Sequence, residues 1–434
     1  MNNSVFMDRL GVARSDAEFV RTAAGLATLQ AYDSIKTHGF DPFVHETVLD
    51  RIAKDVQSIT DDSEIADALG SVIQALPFWE GSHASSRIGR RAVYTSLLVY
   101  GQALSDDGEW GLAEQVYALV GMDTELDGAT WLAAEARLLM GRACRMCADW
   151  ETSRMAYRRA YQLGIEARDF AIALRARIGE ANNLWGRGDF PAANRLLATT
   201  LRRARVACPS VAPRVMLAMA GVANAAGNHE RAIQLAFTLQ DSLTDDDELK
   251  YQTLVDLAIF FTDYGLPPIA ESALRLVEHS APELRVRRHA TLNLFFLAAH
   301  YQSEAAFKSL NDKLANELLT PRQQTQFALF AAQGYRRFSQ FDSARASAEH
   351  ALALAKQHEF FQLVFETETE LHEIDADRTA SAATLAPTSV PPTRKRVEKT
   401  LYRSTTGARP SARIQRVAES LENMARQLVA PDAV

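Results

Sequence analysis

Apolar and small residues recur at intervals of three and four positions along most of this chain, which is the spacing of one face of an α-helix. Around residue 150, for example, Gly141 and Cys144 precede a short polar turn, and Ala156, Tyr157 and Ala160 follow it. No segment alternates apolar and polar residues over the length that a half-buried strand requires. The pattern therefore predicts an all-α protein built from helical hairpins.

The turn between the two helices has a motif that repeats along the chain. It reads as a small or turn residue, a polar residue, an aromatic or similar residue, two variable positions and a small residue, as in Ala148-Asp149-Trp150 leading to Ser153. The closing small residue recurs as Ala113, Ser153, Ala193, Ala232, Ala270, Ala305 and Ala344, in steps of 40, 40, 39, 38, 35 and 39 positions. Repetition at such a period is typical of stacked structural units.

Each repeat also pairs small residues with large ones across its two helices. The first helix carries a small residue seven positions before the turn, and the second helix carries a large residue, such as Tyr117 or Tyr157, four positions after its own small residue. Small side chains allow two helices to approach closely, and a large side chain then fills the remaining gap. The small residues of the first helix are Gly101, Gly141, Ala181, Ala220, Ala258 and Ala332.

These features together resemble the tetratricopeptide (TPR) family, over about residues 90 to 356. The resemblance implies an α-solenoid in which helical hairpins form a right-handed superhelix. Two departures stand out: most units here are 38 to 40 residues long rather than about 34, and the proline that closes the family's unit is missing. Longer units of this kind resemble those of bacterial signalling and regulatory proteins.

The chain before the repeats is also predicted to be helical. Helices are expected over Asp16–His38, Val44–Ile59 and Asp62–Leu76, with Asp41 as a helix cap and Pro42 at a first helical position. Because a solenoid exposes its end faces unless they are capped, we interpret residues 1–89 as an N-terminal helical cap or degenerate repeats. The solenoid itself is predicted over residues 90–375.

The composition changes after Asp375. Residues 376–410 are rich in Ala, Ser, Thr and Pro, which predicts a disordered linker. Residues 411–430 are predicted to form an amphipathic helix that closes the solenoid, lies in its groove, pairs with a second copy or binds a partner. Its apolar seam, spaced 3, 4, 3 and 4 positions, consists of Ile414, Val417, Leu421, Met424 and Leu428.

Charge and composition narrow the classes of partner. The formal net charge is −7, and residues 376–434 contribute ten Lys/Arg and five Asp/Glu, so the tail carries +5 and the preceding part −12. An acidic body argues against nucleic acid as the partner, because phosphate contacts require clustered cations. Neither a signal peptide nor an uninterrupted apolar run of membrane-spanning length is evident, so a cytoplasmic protein is expected.

Signatures of catalysis are missing from the sequence. We find no phosphate-binding glycine loop, no zinc-protease motif and no nucleophile elbow, so we expect no enzyme activity and no cofactor. The chain has three cysteines. Cys144 and Cys147 have the spacing of half a zinc site, but a second half-site is not evident, so we interpret them as structural thiols and expect no bound metal.

The TPR resemblance implies where a ligand would bind. In that family, positions one and four residues after the small residue of the first helix line the concave groove, and their amide and guanidinium groups can hold a peptide backbone or a carboxylate. The alternative to a ligand groove is a solvated helix face with one tryptophan packed between repeats. The leading hypothesis is a scaffold that binds a peptide or helix of a partner protein; the alternative is a sensor whose ligand-dependent change controls a partner through the tail. The groove candidates are Gln102, Arg142, Arg145, Asn182, Trp185, Asn224 and Arg336.

Overall fold

All the regular secondary structure in the described part of the chain is helical. The computed structural model describes residues 4–13, 16–59, 63–79, 83–240, 242–243, 248–301, 303–317, 319–358, 360–385 and 412–429. The α-helices in these ranges are α1 (Ser4–Val12), α2 (Asp16–His38), α3 (Pro42–Gln57), α4 (Ser63–Ala75), α5 (His83–Asp107), α6 (Trp110–Leu126), α7 (Thr130–Met146), α8 (Trp150–Glu166), α9 (Phe170–Gly186), α10 (Phe190–Ala207), α11 (Ala212–Ala225), α12 (His229–Gln240), α13 (Glu248–Asp263), α14 (Pro267–Ser280), α15 (Leu284–Tyr301), α16 (Glu304–Ala315), α17 (Pro321–Arg337), α18 (Phe341–Gln357), α19 (Phe361–Leu385) and α20 (Ala412–Val429).

The helices from α5 to α18 follow one another as seven consecutive pairs, which matches the seven turns of the sequence repeat. Each position of the turn motif has a structural role. In one repeat, Ala148 adopts a left-handed conformation with φ 59°, and the side chain of Asp149 then accepts a hydrogen bond of 3.1 Å from the backbone N–H of Thr152. Trp150 begins the next helix. The small, polar and aromatic positions are therefore a helix end, a helix cap and a helix start.

The predicted pairing of small and large residues is confirmed. Tyr157 of α8 is buried, and its ring occupies the space that a Cβ atom would need at Gly141 of α7 and at Gly179 of α9. Tyr117 of α6 fills the equivalent space beside Gly101 of α5. One aromatic ring thus packs against the first helix of its own repeat and, for Tyr157, of the following repeat, which is how successive hairpins share a core.

The chain divides into two compact units. The first comprises residues 1–189 and 203–211, and the second comprises residues 190–202 and 212–434. In the first unit, the N-terminal helices pack on the first hairpin through α1 and α4, and α2 bonds to it through a side chain. The Tyr32 hydroxyl of α2 donates a hydrogen bond of 2.5 Å to the almost fully buried carboxylate of Asp123 of α6. Lys36 pairs with the same carboxylate at 2.5 Å.

The N-terminal region differs from its prediction in two respects. Helix α1 was not expected from the sequence; it is stabilised by tertiary contacts, since Phe6 is fully buried and Arg9 pairs with Glu109 at 2.6 Å. The predicted boundary between residues 89 and 90 lies inside α5, which begins at His83, so the boundary must be moved toward the N-terminus. The predicted cap by Asp41 is confirmed, because its side chain accepts a 3.0 Å hydrogen bond from the N–H of Phe43.

The second unit contains the later hairpins, α19 and α20. The prediction of a linker beginning at residue 376 is corrected for residues 376–385, since α19 continues to Leu385. Two ion pairs hold this extension: Arg336 contacts Asp377 at 3.0 Å and Arg378 contacts Asp342 at 3.2 Å. The rest of the predicted linker, residues 386–410, lies outside the described residues.

Helix α20 packs on α14 and α12 of its own unit. The exposed fractions of Ile414, Val417 and Leu421 are 0%, 4% and 1%, and all three belong to one apolar cluster with residues of helices α11 to α15. Intramolecular docking is thus the arrangement found among those left open by the sequence. Met424 and Leu428 belong to α20, but their side chains lie outside the described residues.

Candidate functional site

Four of the predicted groove residues lie on two helices that contact each other in the first unit. Arg142 and Arg145 are about one turn apart on α7, and Asn182 and Trp185 occupy the equivalent positions on α9. Helices α7 and α9 pack directly against each other as the first helices of consecutive repeats. We call the surface formed by these four residues the α7–α9 surface.

Two polar atoms of the α7–α9 surface are buried without a partner. The Nε of Arg145 and the Oδ1 of Asn182 are inaccessible to solvent, and neither makes a hydrogen bond within the described part of the chain. An unsatisfied buried polar group costs about 1 to 3 kcal/mol, and most such groups in native proteins are paired. One donor and one acceptor on adjacent helices therefore lack a partner among the described residues, and a ligand reaches them only after the surrounding side chains move.

The other two residues add a cation and an apolar body. Arg142 is exposed, and its guanidinium lies 5.5 Å from the centre of the Trp110 ring, a distance at which the ring face attracts the cation. Trp185 is half-buried. A half-buried indole offers apolar area together with an N–H donor, so the surface combines positive charge, an amide and an aromatic anchor.

Gln102, the candidate of the preceding repeat, is engaged within its own helix. Its Nε2 donates a hydrogen bond of 3.0 Å to Asp106 of α5. Nearer the N-terminal ends of these helices, Arg175 of α9 and Glu135 of α7 form an ion pair at 3.3 Å that links the two helices. This ion pair helps to hold α7 and α9 together beside the α7–α9 surface.

Sequence reasoning missed Asn183, and it assigned Tyr157 to packing without its contact with Arg145. Asn183 donates a 2.8 Å hydrogen bond from Nδ2 to the backbone carbonyl of Trp150, and its Oδ1 is buried without a partner in the described chain. Burial raises the pKa of Tyr157, and a hydrogen bond and positive charge from Arg145 oppose that rise. Tyr157 thus connects the packing of the repeat to Arg145. The adjacent amides at 182 and 183 were the available signal.

The predicted groove residues of the second unit are engaged in contacts within the chain. The Nδ2 of Asn224 donates a hydrogen bond of 2.6 Å to Asp263, and its Oδ1 lies 2.7 Å from Nδ1 of His229. Arg336 pairs with Glu370 at 2.5 Å, with Glu373 at 2.7 Å and with Asp377 at 3.0 Å. Because their polar atoms already have partners, we do not include Asn224 and Arg336 in the candidate site.

The surroundings of Cys144 favour its neutral, unreactive thiol. Cys144 is buried, and burial, assisted by the negative charges of Glu114 and Asp149, raises the pKa of its thiol. A neutral thiol is a poor nucleophile and a poor metal ligand. Within the described ranges, no group of three or more His, Cys, Asp or Glu side chains is arranged to hold a metal ion. Nor does any helix there have the length and apolar character needed to cross a membrane.

Comparison with known proteins identifies the fold. No protein-family model matches the chain, and no curated protein matches its sequence. Among solved structures, it resembles a Rap protein complexed with competence and sporulation factor, with 12% sequence identity over 78% of this chain and 99% of that chain and a TM-score of 0.50. The Rap conjugation gene regulator of plasmid pLS20 in complex with the Phr* peptide is also similar, at 14% identity over 82% and 97% of the two chains and a TM-score of 0.49. The first likeness confirms the predicted all-helical, TPR-like repeat fold.

Proposed function

We propose that this chain is an interaction scaffold that binds a peptide segment of a partner on the α7–α9 surface. The observation that carries the proposal is the pair of buried, unpartnered polar atoms, Nε of Arg145 and Oδ1 of Asn182. A peptide backbone presents one N–H and one C=O at nearly every residue. Once the side chains that bury these two atoms move aside, such a backbone can accept a hydrogen bond from Arg145 and donate one to Asn182.

Charge and apolar area on the same surface fit this ligand. Arg142 and Arg145 together would bind a carboxylate of the peptide, since guanidinium groups match carboxylates in charge and geometry. Trp185 would pack against an apolar side chain, and tryptophan and arginine are the residue types that most often dominate binding energy. The expected ligand is thus an extended peptide with one acidic and one apolar group.

The fold supports a ligand-binding role. The Rap protein that resembles this chain was crystallised with competence and sporulation factor bound, and we extend to this chain the ability of such a repeat fold to hold a ligand. A sensor that passes peptide binding on to a second partner would share this first step. Binding at the α7–α9 surface is therefore the part of the function to test first.

A random library of short, unstructured peptides displayed on phage can test this function. Peptides selected on the full-length wild-type chain should bind the Arg145→Ala/Asn182→Ala variant at least about tenfold more weakly, because both backbone contacts are lost. The affinities would be measured by isothermal titration calorimetry with the selected peptides in synthetic form. Trp185→Ala alone should weaken binding by a similar factor, which is usual for a central aromatic anchor.

A surface arginine provides the matched control. Arg195 lies on α10 and is exposed, so Arg195→Ala should leave the affinity unchanged. If the library yields no enriched peptide, or if the selected peptides bind the double variant as tightly as the wild type, peptide binding at this surface is ruled out.

A further inference from the structure

Helix α20 covers an apolar face of the repeats with a single narrow seam. Within residues 412–423, the buried apolar side chains are Ile414, Val417 and Leu421, with Ala418 partly buried beside them. On the opposite side, Gln415, Arg416 and Glu419 are exposed. The helix therefore lies on the surface of the second unit with one face against α12 and α14 and the other in solvent.

The receiving helices are the second helices of two consecutive repeats. Apolar residues of α12 and α14, among them Ile233, Ala236, Ala273 and Leu274, belong to the same cluster as the seam of α20. The two helices have 12 and 14 residues, whereas α6 and α8 of the first unit have 17 each. The face that receives α20 is thus built from shortened helices of the repeat itself.

A long chain segment connects α20 to the rest of the unit. Helix α19 ends at Leu385 and α20 begins at Ala412, so 26 residues lie between them. Because α20 is covalently attached to the unit that it docks on, a free helix must compete with a tethered copy for the same face. An isolated helix of 18 residues is only marginally stable in water. Formation of the α20 helix therefore depends on its docking.

We propose that the α12–α14 face is a binding surface for an amphipathic helix and that α20 is its tethered, exchangeable occupant. A helix carrying the same seam, apolar at the positions of Ile414, Val417 and Leu421, would displace it. Release would uncover the apolar face and free α20 at the same time. This inference does not depend on peptide binding at the α7–α9 surface, which lies on other helices and in the first unit.

The test uses the full-length chain and a fluorescent synthetic peptide of residues 412–429. In the variant Val417→Asp/Leu421→Asp, the tethered helix carries charges in its seam and should leave the α12–α14 face. The labelled peptide should then bind this variant at least about tenfold more tightly than it binds the wild type, because the wild-type face is occupied by the tethered copy. Fluorescence anisotropy would measure both affinities.

Two exposed positions on the same helix provide the matched control. Gln415→Asp/Glu419→Asp places the same residue type on the solvent side of α20, so the labelled peptide should bind this variant as weakly as the wild type. Amide hydrogen exchange adds a readout that does not require the peptide: residues 412–423 should exchange faster in the seam variant and at the wild-type rate in the control.

Three results would overturn the inference. The first is equal affinity of the labelled peptide for the wild type and the seam variant, and the second is absence of binding to the seam variant. The third is a wild-type dimer that becomes a monomer in the seam variant, measured by light scattering after size-exclusion chromatography, because the occupant would then be α20 of a second copy.

Discussion

At the scale of single residues, the packing of this protein depends on an aromatic ring placed between two glycines. A Cβ atom at Gly179 would lie 2.2 Å from Cε1 of Tyr157, and one at Gly141 would lie 2.7 Å from Cδ1 of the same ring. Because Tyr157 is buried, its ring cannot swing into solvent. Close contact between α7, α8 and α9 thus requires glycine at both positions.

Gly179→Ala should therefore destabilise the first unit by about 1 to 3 kcal/mol, the usual cost of adding a methyl group to a filled core. Urea unfolding followed by circular dichroism would measure the change. Gly70→Ala is the matched control: this glycine lies within α4 with no atom within 4 Å of the added Cβ, so the substitution should stabilise by about 0.5 to 1 kcal/mol through helix propensity. Equal effects at the two sites would contradict the packing argument.

In the turn at Ala148, a change to glycine should stabilise the chain. Most equivalent turn positions hold glycine, but Ala148 and Ser339 adopt the left-handed conformation with φ 59° and 60°. Since that conformation is unfavourable for residues with a Cβ, Ala148→Gly should stabilise the chain by about 0.5 to 1 kcal/mol. At Ala226, which is not among the residues of positive φ, the same change should destabilise by a similar amount. The unfolding midpoints of the two variants would show the opposite signs.

At the scale of elements, helix α19 is held to α17 by a charged network. Arg336 of α17 pairs with Glu370, Glu373 and Asp377, and Glu370 is almost fully buried. Burial raises the pKa of Glu370, Arg336 lowers it, and the nearby Glu373 and Asp377 raise it further, so that it stays above its ordinary value of 4.5. The arginine thus compensates a carboxylate that burial disfavours.

Arg336→Met should consequently cost about 3 kcal/mol at neutral pH, because it leaves a buried carboxylate without its partner. The sign of the pH dependence follows from the raised pKa of Glu370: its neutral form suits the folded state, so the variant should be most stable at acidic pH and lose stability as pH rises through that pKa. Thermal unfolding across pH would measure this, and Arg336→Met/Glu370→Gln should recover most of the loss. Arg345→Met, at an exposed pair with Glu349, should change stability by less than about 1 kcal/mol.

At the scale of the whole molecule, acid should weaken the two units in different pH ranges. In the first unit, burial would raise the pKa of Glu125, but hydrogen bonds and charges from Arg159 and Arg137 lower it below 4.5. In the second unit, burial lowers the pKa of His300 below 6.5, and the charges of Arg336 and Arg337 lower it further against an opposing backbone hydrogen bond. Both groups therefore take up protons more readily when unfolded.

Stability from His300 should be complete above about pH 6.5 and decrease as pH falls below it, while stability from Glu125 should decrease only below about pH 4.5. Hydrogen exchange measured over this pH range would resolve the two steps. His300→Gln should reduce the loss of stability of the second unit below about pH 6.5, and Glu125→Gln should reduce the loss of stability of the first unit below about pH 4.5. A profile that neither substitution changes would exclude these two groups as the cause.

Residue patterns along the chain predicted the repeating helical hairpins, their turns, the small and large residues that pack together and the apolar seam of α20. Each of these depends on residues close together in the chain, where helix periodicity and turn chemistry act locally. Which polar groups have partners within the chain became evident only from the three-dimensional structure. Arg336, a groove candidate from the sequence, pairs with Glu370, Glu373 and Asp377, 34 to 41 positions away, whereas Arg145 and Asn182 each keep a buried atom without a partner within the described residues. Only tertiary packing also placed α1 against the first hairpin and α20 on α12 and α14, since burial and pairing are set by neighbours that helix periodicity does not specify.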